Sequence, residues 1–153
     1  MTFLQLSSFS YSILMGALAK PKTLFIVDDD TDDQEIFAAA VNEVDESINC
    51  IAVDNCEDAI QMLKNNTDEL PDFIFLDLNM PRINGRQCLV ELRKLAHLKR
   101  VPVIIYSTSS LKKDIDETAQ LGADMFLTKP SKFDDLCKAL NNVISIDWSR
   151  KTA

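Results

Sequence analysis

The 153-residue chain is poor in the residues that would take it out of the ordinary globular class: it has 3 Gly, 5 Pro, one Trp and one His. So little Gly and Pro excludes collagen-like chains and Pro/Gly-rich disorder. Its four cysteines, Cys50, Cys56, Cys88 and Cys137, show no CxxC spacing, and His97 stands alone in a Leu/Lys-rich stretch. A structural zinc site therefore lacks a ligand set. Positive charge is also scarce, with 16 Lys plus Arg against 24 Asp plus Glu, a net charge of −8, and no basic run longer than two residues. An acidic surface of this kind repels a phosphate backbone, which argues against direct nucleic-acid binding.

What the chain does have is apolar content, 46% of its residues, enough to bury one domain's core. Residues 1–20 are apolar but are interrupted by Gln5 and several serines, so they do not read as a membrane span. Ala17-Leu18-Ala19 has the small residues of a signal-peptidase site, but no Lys or Arg precedes the apolar part. We expect residues 1–21 to be a leader outside the fold, with Met15 as a candidate start, 22–146 to be the domain, and 147–153 to be a short tail. Three of the four cysteines fall within apolar periodic segments. They are expected to be free thiols in the core of a cytoplasmic protein.

From residue 21 onward, five short apolar runs follow one another at 24–27, 50–53, 73–76, 101–106 and 125–127. They are continuously apolar rather than alternating, as strands of a parallel sheet covered on both faces require. Between them lie helical periodicities. Ile36, Phe37, Ala40, Val41 and Val44 share one face, as do Phe133, Leu136, Cys137, Leu140, Val143 and Ile144, with shorter versions at 59–63 and 89–96. The pattern predicts an α/β fold, a doubly wound five-stranded parallel sheet with helices on both faces. Residues 111–121 carry only a thin apolar stripe of Leu111, Ile115 and Ala119 among charges, which predicts a lightly docked helix.

In such folds ligands bind outside the carboxyl ends of the strands. The first strand runs into Asp28-Asp29-Asp30, the third into Asp77, the fourth into Ser107-Thr108 and the fifth into Thr128-Lys129-Pro130. Neighbouring carboxylates raise one another's pKa unless a cation neutralises them. A hard divalent ion suits this role, since Mg²⁺ takes one or two carboxylates with waters and phosphate oxygens at about 2.0–2.1 Å. Asp28, Asp29 and Asp77 are the candidate Mg²⁺ ligands, with the backbone carbonyl of Asn79 within reach to join them. Ser107 and Lys129 pair a hydrogen-bond donor with a positive charge suited to phosphoryl oxygens. Asp77 is then available as a nucleophile, because carboxylates form aspartyl-phosphates. Asp30 and Thr31 are read as helix caps, and Asp54 as a structural turn residue.

The stretches LFIVDDD (24–30), PDFIFLDLNMPRINGRQCL (71–89), VPVIIYSTSS (101–110) and GADMFLTKPSKFDDL (122–136) resemble the receiver domain of bacterial response regulators, over about residues 22–146. The resemblance implies a flavodoxin-like strand order of 2-1-3-4-5, with Asp77 on the central strand. It assigns the acidic pair to Asp28 and Asp29, the phosphoacceptor to Asp77 and the metal-ligating carbonyl to Asn79. It further assigns the switch hydroxyl to Ser107, the lysine to Lys129, the switch aromatic to Phe126, and a cis bond to Lys129-Pro130. Two departures stand out: Phe126 has no hydroxyl, and Thr108 is larger than the usual residue after the switch hydroxyl.

The implied protein is a stand-alone response regulator. It would take a phosphoryl group from a sensor histidine kinase or a histidine phosphotransfer protein and then switch a surface for a downstream protein, as a monomer or a phosphorylation-dependent dimer, with no membrane or nucleic-acid partner. Two alternatives are weighed. One is a phosphorylation-independent receiver-like binding module. The other is a haloacid-dehalogenase-type phosphatase using the DxDxT pattern, with Asp28 as nucleophile and Asp30 as acid.

Overall fold

The computed structural model describes residues 20–150. The chain alternates β1 (Thr23–Val27), α1 (Thr31–Val44), β2 (Asn49–Val53), α2 (Cys56–Asn65), β3 (Phe73–Leu76), α3 (Gly85–Lys94), β4 (Val103–Ser107), α4 (Lys112–Gln120), β5 (Met125–Thr128) and α5 (Phe133–Ser145). The five strands form one parallel sheet in the order β2-β1-β3-β4-β5, as expected. The order reverses between β1 and β3, the switch point at which doubly wound sheets open a crevice.

Successive strand residues point to opposite faces, and here both faces are buried. Leu24, Ile26, Phe73, Phe75, Ile104 and Tyr106 pack with Phe37, Ala40 and Val41 of α1 and Leu136, Leu140 and Val143 of α5. Phe25, Val27, Ile74, Leu76, Val103 and Ile105 pack on the other side with Ala59 and Leu63 of α2 and Leu89 and Leu92 of α3. The uninterrupted apolar runs of the sequence are thus two interleaved sets, one for each core.

Helix α4 follows its expectation, since Thr118 is its one buried residue while Leu111 and Ile115 are exposed. The leader expected over 1–21 lies outside the described residues up to residue 19, and residues 151–153 of the expected tail do so as well. The packed chain continues past Ile146, because Trp148 donates its indole N–H to the Val143 carbonyl (3.0 Å) and packs edge-on against Phe73. Among the described residues no helix is long and apolar enough to cross a membrane.

Two expectations need correction. Cys56 and Cys88 are not free core thiols; they form a disulfide with a Cα–Cα distance of 5.8 Å. The first residue of α2 and the first turn of α3 face each other on one side of the sheet, a proximity that a separation of 32 residues does not reveal. Cys50 and Cys137 are free and partly buried. The Lys129-Pro130 bond is trans, as are the other described peptide bonds; trans is the lower-energy isomer even before proline.

Candidate phosphoryl and metal site

The crevice at the carboxyl edge gathers the groups picked out in the sequence. Asp28 continues β1 by donating its backbone N–H to the Val53 carbonyl (3.0 Å), which sinks its side chain to full burial. One Asp28 carboxylate oxygen accepts from the Asp30 N–H at 3.0 Å. Asp77 likewise continues β3 through its N–H to the Val27 carbonyl (3.0 Å) and is 6% exposed. Asp29 is exposed at the mouth of the crevice. Carboxylate oxygens of Asp28, Asp29 and Asp77 lie within 4.8 Å of one another.

Lys129 is the cation that faces them. Its backbone N–H donates to the Ser107 carbonyl (2.7 Å), extending the β4–β5 ladder and aiming its side chain back over the sheet edge. The ammonium donates to Asp28 at 2.7 Å and to Asp33 at 2.8 Å, stands 3.9 Å from Asp77, and lies over the Tyr106 ring at 5.1 Å from its centre. The reading of the sequence missed Asp33. It sits in the first turn of α1, where acidic residues are common for helix-dipole reasons, and so carried no separate signal.

Burial dominates the electrostatics. It pushes the Asp77 carboxyl up to about 6; Lys129 acts against the rise, while Asp28 and Asp29 add to it. Burial also raises Asp28, opposed by the hydrogen bonds from Lys129 and Asp30. For Lys129, burial pulls downward but is outweighed by Asp28, Asp33 and Asp77, so the ammonium is held well above its ordinary value. The site thus holds a buried carboxyl of raised pKa beside a fixed positive charge, the environment from which a carboxylate nucleophile can work.

Ser107 is fully buried at the end of β4, and its Oγ accepts from the Ser109 N–H at 3.2 Å. Asn79 is exposed just beyond Asp77, and its N–H lies 3.4 Å from an Asp77 carboxylate oxygen. Phe126 is half-buried against the core on the α2 and α3 side. Asp30 caps α1, accepting from the N–H groups of Asp32 (2.9 Å) and Asp33 (3.2 Å). Its carboxylate is therefore tied to a helix terminus and is not the free acid that the phosphatase alternative needs. Asp54 accepts from Asn55, the N-cap of α2, and stays outside the cluster.

The three clustered carboxylates fit a hard divalent cation in both kind and spacing: they are oxygen donors, two of them are buried, and among the described residues the Lys129 ammonium alone pairs with them.

A five-stranded doubly wound sheet in the order 2-1-3-4-5, with an acidic crevice at its carboxyl edge, places the chain among the flavodoxin-like α/β domains. Residues 24–141 match the response regulator receiver domain family, and the chain belongs to it. Response regulator Rcp1 of Synechocystis is 36% identical over 75 residues, covering 49% of this chain and 51% of that protein. Response regulator Rre1 of the same organism is 27% identical over 128 residues, covering 84% of this chain and 54% of that one. This chain thus matches only about half the length of each of these curated relatives. The phosphorylated cyanobacterial phytochrome response regulator RcpA has a similar structure, with a TM-score of 0.74 at 27% identity over 87% of this chain and 97% of that one. The Mn²⁺-bound form of response regulator Rcp1 is similar at a TM-score of 0.71 and 26% identity, over 87% and 98% of the two chains.

Proposed function

We propose that this receiver domain accepts a phosphoryl group on Asp77 from the phosphohistidine of a sensor histidine kinase or histidine phosphotransfer protein, and that the transfer switches a surface for a downstream protein. The observation that carries the reading is the buried Asp77 carboxyl, grouped with Asp28 and Asp29 and 3.9 Å from the Lys129 ammonium.

In the reaction an Asp77 carboxylate oxygen attacks phosphorus, the P–N bond of the donor breaks, and the imidazole leaves with a proton. Ser107 donates its hydroxyl to a phosphoryl oxygen, and Lys129 supplies the positive charge that faces the transferred group. Asp28, Asp29, Asp77 and the Asn79 carbonyl would hold Mg²⁺, which when bound would offset the charge of the crowded carboxylates and of the phosphoryl oxygens. Hydrolysis of the acyl phosphate in the same site resets the switch.

Residues 22–146 carry the signalling site, and Trp148 extends the packed unit beyond them. Ser107 and Phe126 move on phosphorylation and carry the change to α4 and β5, where the lightly docked helix and the half-buried ring offer a two-state element. The Mn²⁺-bound and phosphorylated similar structures support this reading.

The test is intact mass after incubation with acetyl phosphate, with Mg²⁺ or with a chelator. One Mg²⁺-dependent phosphoryl adduct is expected. Its absence in every condition would point to a phosphorylation-independent binding module.

A further inference from the structure

Outside the crevice, a chain of polar contacts joins the Ser107 loop to two helices. Ser109 donates its N–H to Ser107 Oγ (3.2 Å), while its own hydroxyl donates to Asp114 of α4 at 2.5 Å and accepts from the Leu111 N–H at 3.2 Å. The Ser109 carbonyl accepts from the Thr128 hydroxyl at 2.9 Å. The other oxygen of Asp114 is bound by the guanidinium of Arg86, whose Nε donates to Glu117 at 3.0 Å. The Asp114 side chain is 15% exposed and that of Arg86 33%, so neither is a freely solvated charge. Arg86 follows Gly85, which is packed so closely on the Asp77 peptide that a Cβ there would lie 2.2 Å from the Asp77 carbonyl oxygen. The start of α3 is therefore seated against the Asp77–Leu78 backbone, and Arg86 reaches from it to α4.

We propose that Asp114 is a positioning residue. Clamped by Arg86, it holds the Ser109 hydroxyl and through the 107–109 turn keeps Ser107 in its resting place. The inference rests on the proposed phosphorylation of Asp77. Asp114 divides its two oxygens between Arg86 and Ser109, and an Arg86 guanidinium that is itself held by Glu117 keeps Asp114 in place as a charged acceptor for Ser109. When Ser107 turns toward a phosphoryl oxygen on Asp77, the Ser109 N–H and hydroxyl bonds must rearrange together, and α4 is displaced with them. Coupling of this kind is reciprocal: whatever loosens Asp114 also favours the phosphorylated arrangement of Ser107. Arg86 and Asp114 touch no reacting atom and act only through Ser109.

The experiment compares wild type, Asp114→Ala, Ser109→Ala, Arg86→Gln and the Ser109→Ala/Asp114→Ala double variant. Labelling by limiting acetyl phosphate with Mg²⁺ is followed by intact mass, beside the thermal midpoint of each protein. Each single variant is expected to label at least about fivefold faster than wild type, equivalent to about 1 kcal/mol off the barrier. The double variant is expected to gain no more than either of its singles, since all act on one chain of contacts. A merely structural role would lower midpoints without raising labelling. Labelling of wild type with unchanged or slower rates in every variant overturns the clamp while leaving Asp77 as the acceptor. A wild type that never labels overturns both. Should Asp114→Ala fail to fold, Arg86→Gln and Ser109→Ala decide the question alone.

Discussion

The Lys129 ammonium donates to the fully buried carboxylate of Asp28 at 2.7 Å, across 101 residues of sequence. Removing one partner of a buried pair leaves the other as an uncompensated charge, at a cost of about 3–5 kcal/mol. Lys129→Met is therefore expected to lower stability by about 3 kcal/mol at pH 8. As pH is lowered to 5 the loss should shrink, because burial already raises Asp28 and removing the ammonium raises it further. Urea denaturation at the two pH values measures the difference; equal losses would contradict the pairing.

Asp77 gives the opposite sign from an ordinary salt-bridged acid. Its carboxyl rises from 3.8 unfolded to about 6 in the fold, so between these values the native state binds more protons than the unfolded one. Stability contributed by the protonated form is present below pH 4 and is lost as pH rises through 6. The loss amounts to about 2–3 kcal/mol at 1.36 kcal/mol per pKa unit. Asp77→Asn keeps the neutral shape, so in chelator it should exceed wild type in stability above pH 6 and match it near pH 4. Denaturation curves across this range check the expectation; a gap that widens toward acid would refute it.

Gly85 sits where only a hydrogen fits. A Cβ would meet the Asp77 carbonyl oxygen at 2.2 Å and the Leu78 Cα at 2.6 Å, and both are backbone atoms that cannot swing aside. Overpacking of this kind costs about 1–3 kcal/mol. Gly85→Ala is expected to be destabilised by at least that amount and to shift the amide resonances of residues 77–79. An unperturbed variant would mean that α3 does not rest on the Asp77 peptide.

The Cys56–Cys88 bond ties the start of α2 to the first turn of α3. Cross-linking across such a separation typically adds about 2–4 kcal/mol by constraining the unfolded chain. Dithiothreitol should therefore lower the thermal midpoint of the wild type and leave Cys88→Ala unchanged. Equal responses in both proteins would contradict the cross-link.

The candidate site was largely legible because each of its groups stands directly after an apolar run: Asp28 after β1, Asp77 after β3, and Lys129 one residue past Thr128, the last residue of β5. Register explains the small differences. β4 begins at Val103 rather than at residue 101, since Pro102 has no N–H to give and only accepts, from Ile74 at 2.9 Å. It runs on to Ser107 because Ser107 still pairs with Thr128. Helices α1 and α2 start earlier than their apolar periodicity, at Thr31 and Cys56, because Asp30 and Asn55 cap them and their first turns are acidic.

Asp33, the Arg86–Asp114–Ser109 contacts and the Cys56–Cys88 bond were not legible. Each depends on which elements lie side by side once four crossovers are wound, and local periodicity does not carry that information. The trans Lys129-Pro130 bond was misjudged because it was carried over from the family rather than read from the residues.

Asp77 is the proposed phosphoacceptor. The most direct measurement is borohydride reduction after acetyl phosphate and Mg²⁺ treatment, followed by peptide mass spectrometry. Borohydride converts an acyl phosphate to an alcohol, so a phosphorylated aspartate becomes homoserine. Homoserine at position 77, absent without Mg²⁺, is the predicted result. Homoserine at position 28 instead, or at no position despite a phosphoryl adduct on the intact protein, would contradict the account.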